Sequence, residues 1–241
     1  MRIDFRDGIK DELDTKFPMT VRWIFRIVFV SLVLGAGIFG WITRKNITET
    51  TAIENQILSL FEVTRGVSDT SYGTYLNFCG GWFTADHVHE AMNFEPPAFI
   101  SDEVVRAPGI IDAAWYGHKW SCPAPANPKD GMAVYLLGYP GGSDKPTLRQ
   151  GKVHIRRSHS GSEGYWISTW VVVFDPREDA GIIGEAVVGG MSGSIVTDQN
   201  YNPVGILVTQ NSPSDFNGDG DLENSVDIVG LFDAYEVLFA N

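Results

Sequence analysis

A long apolar stretch near the N-terminus dominates the hydropathy pattern. Residues 21–43 read VRWIFRIVFVSLVLGAGIFGWIT, in which only four side chains are polar. As a helix this stretch would be roughly 34 Å long, enough to cross a hydrocarbon core of about 30 Å. Trp23 and Trp41 lie near its ends, where interfacial aromatic residues are expected. We therefore predict a single transmembrane helix over residues 21–43, preceded by a cytoplasmic segment of residues 1–20; a cleaved signal peptide is the alternative.

The charges that flank this stretch predict its orientation. Most of the basic residues lie on its N-terminal side: Arg2, Arg6, Lys10, Lys16 and Arg22 precede or begin it, and Arg44 and Lys45 follow it. Because positively charged flanks tend to stay in the cytoplasm, we expect a cytoplasmic N-terminus and an exported C-terminal domain, periplasmic or extracellular. In such a compartment Cys79 and Cys122 could form a disulfide, although the sequence does not show whether they lie close together.

Beyond the apolar stretch the pattern changes from helical to strand-like. Residues 44–68 read as a helical or stalk-like connector with apolar residues on one side. Residues 69–241 contain many short apolar segments separated by turn residues, which predicts an all-β sandwich or barrel. The predicted strands are residues 74–78, 82–84, 132–138, 151–155, 165–174, 186–188, 194–197 and 203–209. A helix is predicted at the C-terminus, over about residues 229–239.

Composition and motifs argue against several functional classes. The net charge of −12 disfavours a nucleic-acid partner, because phosphate binding needs clustered Lys and Arg. No C-x-x-C or H-E-x-x-H motif supports a zinc site, and no glycine-rich loop followed by Lys supports nucleotide chemistry. We expect no required cofactor.

Three short segments carry the residues of an acyl-transfer site, in the order His, Asp, Ser. They are GGWFTADHVHE around His87, APGIIDAAWYG around Asp112 and VVGGMSGSIV around Ser192. Such a site needs a hydroxyl, an imidazole base that takes its proton, and a carboxylate that orients the imidazole. It also needs backbone N–H donors for the developing oxyanion, and Gly190 allows the tight chain conformation that they require. The three segments together predict a Ser-His-Asp triad.

These segments resemble the signatures of chymotrypsin/trypsin-like serine peptidases. TADHV is similar to the TAAHC or TAAHV segment around the histidine of that family, DAAW to its aspartate segment, and GGMSGSIV to its nucleophile segment. LLGYPGG resembles a strand end of the bacterial HtrA-type branch, and we expect no PDZ domain. The resemblance covers residues 72–238, and it implies that residues 69–241 form a trypsin-like serine protease domain with a chymotrypsin-like double β-barrel.

The resemblance also implies a role for each site residue. Ser192 would attack the scissile carbonyl, His87 would act as base and then as acid, and Asp112 would orient His87. The backbone N–H groups of Gly190 and Ser192 would form the oxyanion hole. The two barrels would have six strands each, with His87 and Asp112 in the first and Ser192 in the second.

Two residues depart from the family pattern. Asp86 stands beside the base where a small residue is usual, and it adds a carboxylate there. Met191 replaces the Asp or Asn expected before the nucleophile. The activation switch in which a new N-terminal amine pairs with that Asp therefore has no partner, and we expect no zymogen cleavage of that kind.

The resemblance places Glu185, Thr209 and Gln210 near the substrate pocket. From charge complementarity at Glu185, a preference for Arg or Lys at P1 is a hypothesis. Next to this region DFNGDGDLE spaces acidic residues as in a calcium loop. Its candidate ligands are Asp215, Asn217, Asp219 and Asp221. The twelfth position is Val226 rather than Glu; Glu223 or Asp227 could substitute, and an acidic solvated loop is the alternative reading.

Two functions from different classes remain open. The first is a membrane-anchored serine endopeptidase with a protein or peptide substrate. The second is a catalytically silent protease-like domain that binds peptides or a partner at the membrane. All three triad residue types are present, which favours the first.

Overall fold

The computed structural model describes residues 19–68, 71–92, 103–106, 111–117, 120–141, 143–160, 166–174, 189–216 and 218–239. The chain divides into two compact units, Met1–Thr48 and Glu49–Asn241. The second unit is mostly β, as predicted, and it contains the predicted domain of residues 69–241.

The first element is helix α1, Met19–Leu60, which contains the predicted transmembrane stretch. Among the described residues, one helix is long and apolar enough to cross a membrane, and it is α1. Its mean hydropathy is 1.8 over its most apolar 18 residues. The predicted connector of residues 44–68 divides between α1 and strand β1, Glu62–Val67. The helix continues past residue 43 because its final turns carry apolar residues at helical spacing, of which Ile57 is fully buried.

The N-terminal half of the second unit is a five-stranded antiparallel sheet in the order β1-β2-β3-β5-β4. Its remaining strands are β2 Tyr72–Phe78, β3 Gly81–Thr84, β4 Val104–Arg106 and β5 Ala114–Tyr116, and the short helix α2, Asp86–Ala91, follows β3. Large aromatic side chains fill its core, among them Tyr75, Phe83 and Trp115. The resemblance implies six strands in this half, and the described residues form five.

The C-terminal half is a closed barrel of six strands in the order β10-β11-β8-β7-β6-β9. The strands are β6 Ala133–Gly138, β7 Thr147–Ser160, β8 Trp166–Phe174, β9 Ile195–Asp198, β10 Pro203–Gln210 and β11 Asn224–Gly230. Strand β7 is longer than predicted because it pairs first with β6 and then with β8. The predicted strand of residues 186–188 lies outside the described residues.

The C-terminal helix is α3, Leu231–Phe239, which starts two residues later than predicted because Val229 and Gly230 still pair with β10. This helix packs on the aromatic core of the first sheet, where the ring of Phe239 lies 5.3 Å from that of Trp115. These elements give the predicted all-β class, with an apolar N-terminal helix and a C-terminal helix.

Cys79 and Cys122 form a disulfide, with their Cα atoms 5.2 Å apart. Cys79 lies in the turn between β2 and β3, and Cys122 lies after β5. The antiparallel pairing of β3 with β5 brings these two segments together, although they are 43 residues apart in sequence.

Candidate active site

His87 lies at the start of α2, directly after the strand that leads into the site. Strand β3 ends at Thr84, and Ala85 keeps an extended conformation before the helix begins at Asp86. As the second helical residue, His87 keeps 46% of its side chain exposed. A short helix at the end of a buried strand therefore presents this imidazole at the surface of the first sheet.

Asp112 binds His87 through both of its carboxylate oxygens. Oδ2 lies 2.8 Å from His87 Nδ1, and Oδ1 accepts a hydrogen bond from the His87 backbone N–H at 3.0 Å. A carboxylate only accepts hydrogen bonds, so Nδ1 carries the proton and Nε2 is left as the proton acceptor. Asp112 thus fixes both the orientation and the tautomer of the imidazole.

The pKa of His87 lies above its ordinary value. Burial lowers this pKa, but the hydrogen bond and the charge of Asp112, together with the charges of Asp86 and Glu90, outweigh burial. The imidazolium is therefore stabilised, which suits a base that takes up a proton during a reaction.

Ser192 faces His87 and Asp112 across one cavity of about 510 Å³. The wall of the cavity consists of His87, Asp112, Gly189, Ser192, Leu207, Val208, Thr209 and Gln210. The Ser192 hydroxyl donates a hydrogen bond to the Val208 carbonyl at 3.3 Å. In the described part of the chain, no hydrogen bond joins this hydroxyl to His87.

The loop before and after Ser192 holds its peptide groups in defined directions. The Gly189 carbonyl accepts from the Gly141 N–H at 2.6 Å, and the Met191 carbonyl accepts from the Ser194 N–H at 2.9 Å. Because C=O and N–H point in opposite directions across a trans peptide, the amides of Gly190 and Ser192 point away from these partners. Gly190 has φ +94°, a conformation that glycine adopts without strain.

Asp86, the unusual residue beside the base, belongs to an ion-pair network. Its carboxylate receives two hydrogen bonds from Arg106, which also binds Glu90 at 2.7 Å. Arg106 was not singled out from the sequence, since a lone Arg in a short apolar strand carries no recognisable signal.

His89, also on α2, is buried and its ring contacts the Tyr116 hydroxyl.

Met191 is completely buried among the apolar side chains inside the barrel. Its neighbours in this core include Val172, Leu207 and Val226. An aliphatic side chain thus occupies the position where the family pattern expects Asp or Asn.

The other predicted residues divide between the cavity and the acidic loop. Thr209 and Gln210 line the cavity, and Glu185 lies outside the described residues. The carboxylates of Asp215, Asp219 and Glu223 lie within 4.8 Å of one another.

These three clustered carboxylates are not the same set as the four predicted calcium ligands. Asn217 lies outside the described residues, and the Asp221 N–H donates to the Asp219 carboxylate. Glu223 is buried and accepts a hydrogen bond from the Phe216 N–H at 2.8 Å. These hydrogen bonds organise the loop, and calcium binding stays a prediction.

Comparison with known proteins identifies the fold of the chain. No protein-family model and no curated protein matches the chain. Solved structures do match, among them the active form of the protease Rv3671c from M. tuberculosis, with 18% identity over 78% of this chain and 85% of that chain and a TM-score of 0.51. The inactive form of Rv3671c matches with 16% identity over 78% of this chain and 95% of that chain, with a TM-score of 0.50. A Glu endopeptidase matches with 15% identity over 74% of this chain and 89% of that chain, with a TM-score of 0.44. The chain is thus similar in structure to trypsin-like serine proteases and has their chymotrypsin-like fold.

Proposed function

We propose that the chain is a membrane-anchored serine endopeptidase in which Ser192, His87 and Asp112 form the catalytic triad. One observation carries the proposal: Asp112 binds both the ring and the backbone N–H of His87, beside a cavity that Ser192 also lines. A carboxylate with only a structural role would not need to fix the tautomer of a half-exposed imidazole.

The geometry supports acyl transfer through an acyl-enzyme. The Ser192 hydroxyl turns from the Val208 carbonyl toward His87, its oxygen attacks the scissile carbonyl, and its proton moves to His87 Nε2. The backbone N–H groups of Gly190 and Ser192 stabilise the oxyanion of the tetrahedral intermediate. His87 then gives the proton to the leaving amine as the C–N bond breaks. His87 then takes a proton from a water molecule whose oxygen attacks the acyl carbon, and it returns that proton to the Ser192 oxygen as the ester C–O bond breaks and the acid is released.

Membrane anchoring and export form the second part of the proposal. Helix α1 is long and apolar enough to span a membrane, and the basic residues before it favour a cytoplasmic N-terminus. The disulfide between Cys79 and Cys122 is typical of an oxidising compartment. The protease unit therefore acts on peptides or proteins outside the cytoplasm.

The part of the cavity wall formed by Thr209 and Gln210 would select the substrate residue at P1. Glu185 is a candidate for recognition of a positive charge there. Cleavage after Arg or Lys is the hypothesis here, and a peptide-library profile without cleavage at basic sites would remove it.

A catalytically silent binding domain is the alternative function. It is favoured by one observation: the Ser192 hydroxyl is bonded to the Val208 carbonyl at 3.3 Å instead of to the base. In such a domain the cavity would hold a peptide or partner segment without cleaving it.

Labelling with a fluorophosphonate probe separates the two functions, because the probe reacts only with an activated serine. The purified chain, Ser192→Ala and His87→Ala are compared, and Ser59→Ala, on an exposed turn of α1, is the matched serine control. We expect labelling of the wild type and of Ser59→Ala, and none of the other two variants. An unlabelled but folded wild type would overturn the proposal in favour of the silent domain.

A further inference from the structure

Thr74 links the first sheet to the loop that carries Ser192. It lies on β2, its side chain is fully buried, and its backbone N–H donates to the Ser192 carbonyl at 2.8 Å. Its hydroxyl donates to the Gly190 carbonyl at 3.2 Å. A single residue of the first sheet thus binds two carbonyls of the nucleophile loop in the barrel.

Thr74 donates two of the hydrogen bonds that hold the four carbonyls of the nucleophile loop. The carbonyls of residues 189 to 192 are all hydrogen-bonded: Gly189 to Gly141, Gly190 to Thr74, Met191 to Ser194 and Ser192 to Thr74. Three of these carbonyls accept from backbone N–H groups, which any side chain at the partner position would leave in place. The Gly190 carbonyl accepts instead from the Thr74 hydroxyl, so its orientation depends on the identity of that side chain.

Gly190 has no side chain that restricts its backbone. Its φ of +94° lies in a region that glycine enters and leaves easily. The peptide before Gly190 is held by Gly141, and the peptide after it is held by Thr74. Without the second hydrogen bond the Gly190–Met191 peptide could rotate. This peptide joins the two peptides that carry the Gly190 and Ser192 N–H groups, so its rotation would change the orientation of these two donors relative to each other.

The Thr74 hydroxyl is itself oriented by a neighbouring backbone group. The Tyr139 N–H donates to Thr74 Oγ1 at 3.1 Å. Because this N–H approaches the oxygen as a donor, the hydroxyl hydrogen is directed toward the Gly190 carbonyl. The resulting chain runs from Tyr139 N–H through Thr74 Oγ1–H to the Gly190 carbonyl, and each hydrogen bond polarises the next.

We infer that Thr74 is a positioning residue for the oxyanion hole, which it controls through the Gly190 carbonyl. The inference rests on the proposed function, because an oxyanion hole has a purpose only where a tetrahedral intermediate forms. Thr74 does not line the cavity, so it acts on the reaction through Gly190 and not by contact with substrate.

Thr74→Val tests this inference, because valine keeps the shape of threonine and removes only the hydroxyl. Thr74→Ser restores the hydroxyl without the methyl group. Thr197→Val is the matched control: Thr197 is a buried threonine on β9 of the barrel, and its hydroxyl has no hydrogen-bond partner in the described part of the chain. Each full-length variant is measured for its labelling rate with the fluorophosphonate probe and for kcat and KM with p-nitrophenyl acetate.

We expect Thr74→Val to lower kcat and the labelling rate about tenfold, which is less than the roughly 10²–10³-fold cost of deleting an oxyanion donor. We expect KM and the pH profile to stay unchanged, since neither the cavity wall nor His87 is altered. Thr74→Ser should recover most of the rate, and Thr197→Val should match the wild type. If Thr74→Val does not fold, Thr74→Ala replaces it under the same criteria.

A wild type that labels, together with a Thr74→Val variant that labels equally fast, would overturn the inference and leave the proposed function intact. Equal losses in Thr74→Val and Thr197→Val would also overturn it, because they would show a general effect of removing a buried hydroxyl. A folded wild type that does not label would overturn the inference together with the proposed function.

Discussion

Arg106 holds the carboxylate of Asp86 with two hydrogen bonds, from Nε to Oδ1 at 2.5 Å and from Nη2 to Oδ2 at 2.8 Å. Asp86 directly precedes His87, and its charge contributes to the raised pKa of His87. The positive charge of the guanidinium therefore reduces the effect of this negative charge on the pKa of the base. The extra carboxylate beside the imidazole is compatible with a functional base because of this ion pair.

The raised pKa of His87 predicts the pH dependence of activity. A general base must be neutral to accept the serine proton, so activity should be low when His87 is protonated and should rise as the pH passes its pKa. We expect the midpoint of this rise in kcat/KM to lie above about 6.5, the ordinary value for histidine. Hydrolysis of p-nitrophenyl acetate between pH 5 and pH 9 measures it. A midpoint below the ordinary value would contradict the balance of charges described here.

Arg106→Met should move that midpoint to higher pH, because the charges of Asp86 and Glu90 then act on His87 without their cation. Asp86→Asn should move it to lower pH, because a negative charge beside the base is lost. Arg65→Met, which removes a cation from β1, is the control and should leave the midpoint unchanged. Since the loss of this partly buried ion pair destabilises the protein, the profiles are recorded well below the melting temperature of each variant. Shifts of both variants in the same direction would contradict this account.

Met191→Ala should lower the free energy of unfolding, because it leaves a cavity in the apolar core of the barrel. Met191 is fully buried, and truncation of such a side chain costs about 2–5 kcal/mol in transfer free energy and cavity formation. Urea denaturation followed by tryptophan fluorescence gives the free energy of unfolding. Leu222→Ala, at a side chain that is 64% exposed, is the control and should cost far less. Similar losses in the two variants would show that Met191 is not packed as described.

Removal of the disulfide should lower stability without altering the active-site contacts. The bond closes a loop with a sequence separation of 43, and disulfides of this kind contribute about 2–4 kcal/mol. The double variant Cys79→Ser, Cys122→Ser is compared with the wild type by urea denaturation, with and without reductant. Because the sequence has two cysteines, a non-reduced wild type should take up no iodoacetamide. Alkylation of both cysteines without reductant would contradict the pairing.

Local patterns of apolar and polar residues predict much of the secondary structure. The predicted strands at 132–138 and 203–209 agree with β6 and β10 to within one residue at either end, because both alternate or run apolar between clear turn residues. Strands β1, β4, β5 and β11 were missed. Two of them have only three residues, and β11 follows an acidic loop that obscures its apolar alternation.

The sequence by itself determined the apolar helix, the strand-rich domain and the three chemical groups His87, Asp112 and Ser192, because each depends on residue type and local spacing. Only the tertiary structure decided how these groups are supported. The bond from Asp112 to the backbone of His87, the ion pair of Arg106 with Asp86 and the bond from Thr74 to Gly190 each join separate elements of the fold. The Thr74 contact spans 116 positions in the chain. Local patterns cannot predict such contacts, since they arise only when sheet pairing and barrel closure bring distant backbone and side-chain groups within hydrogen-bond distance.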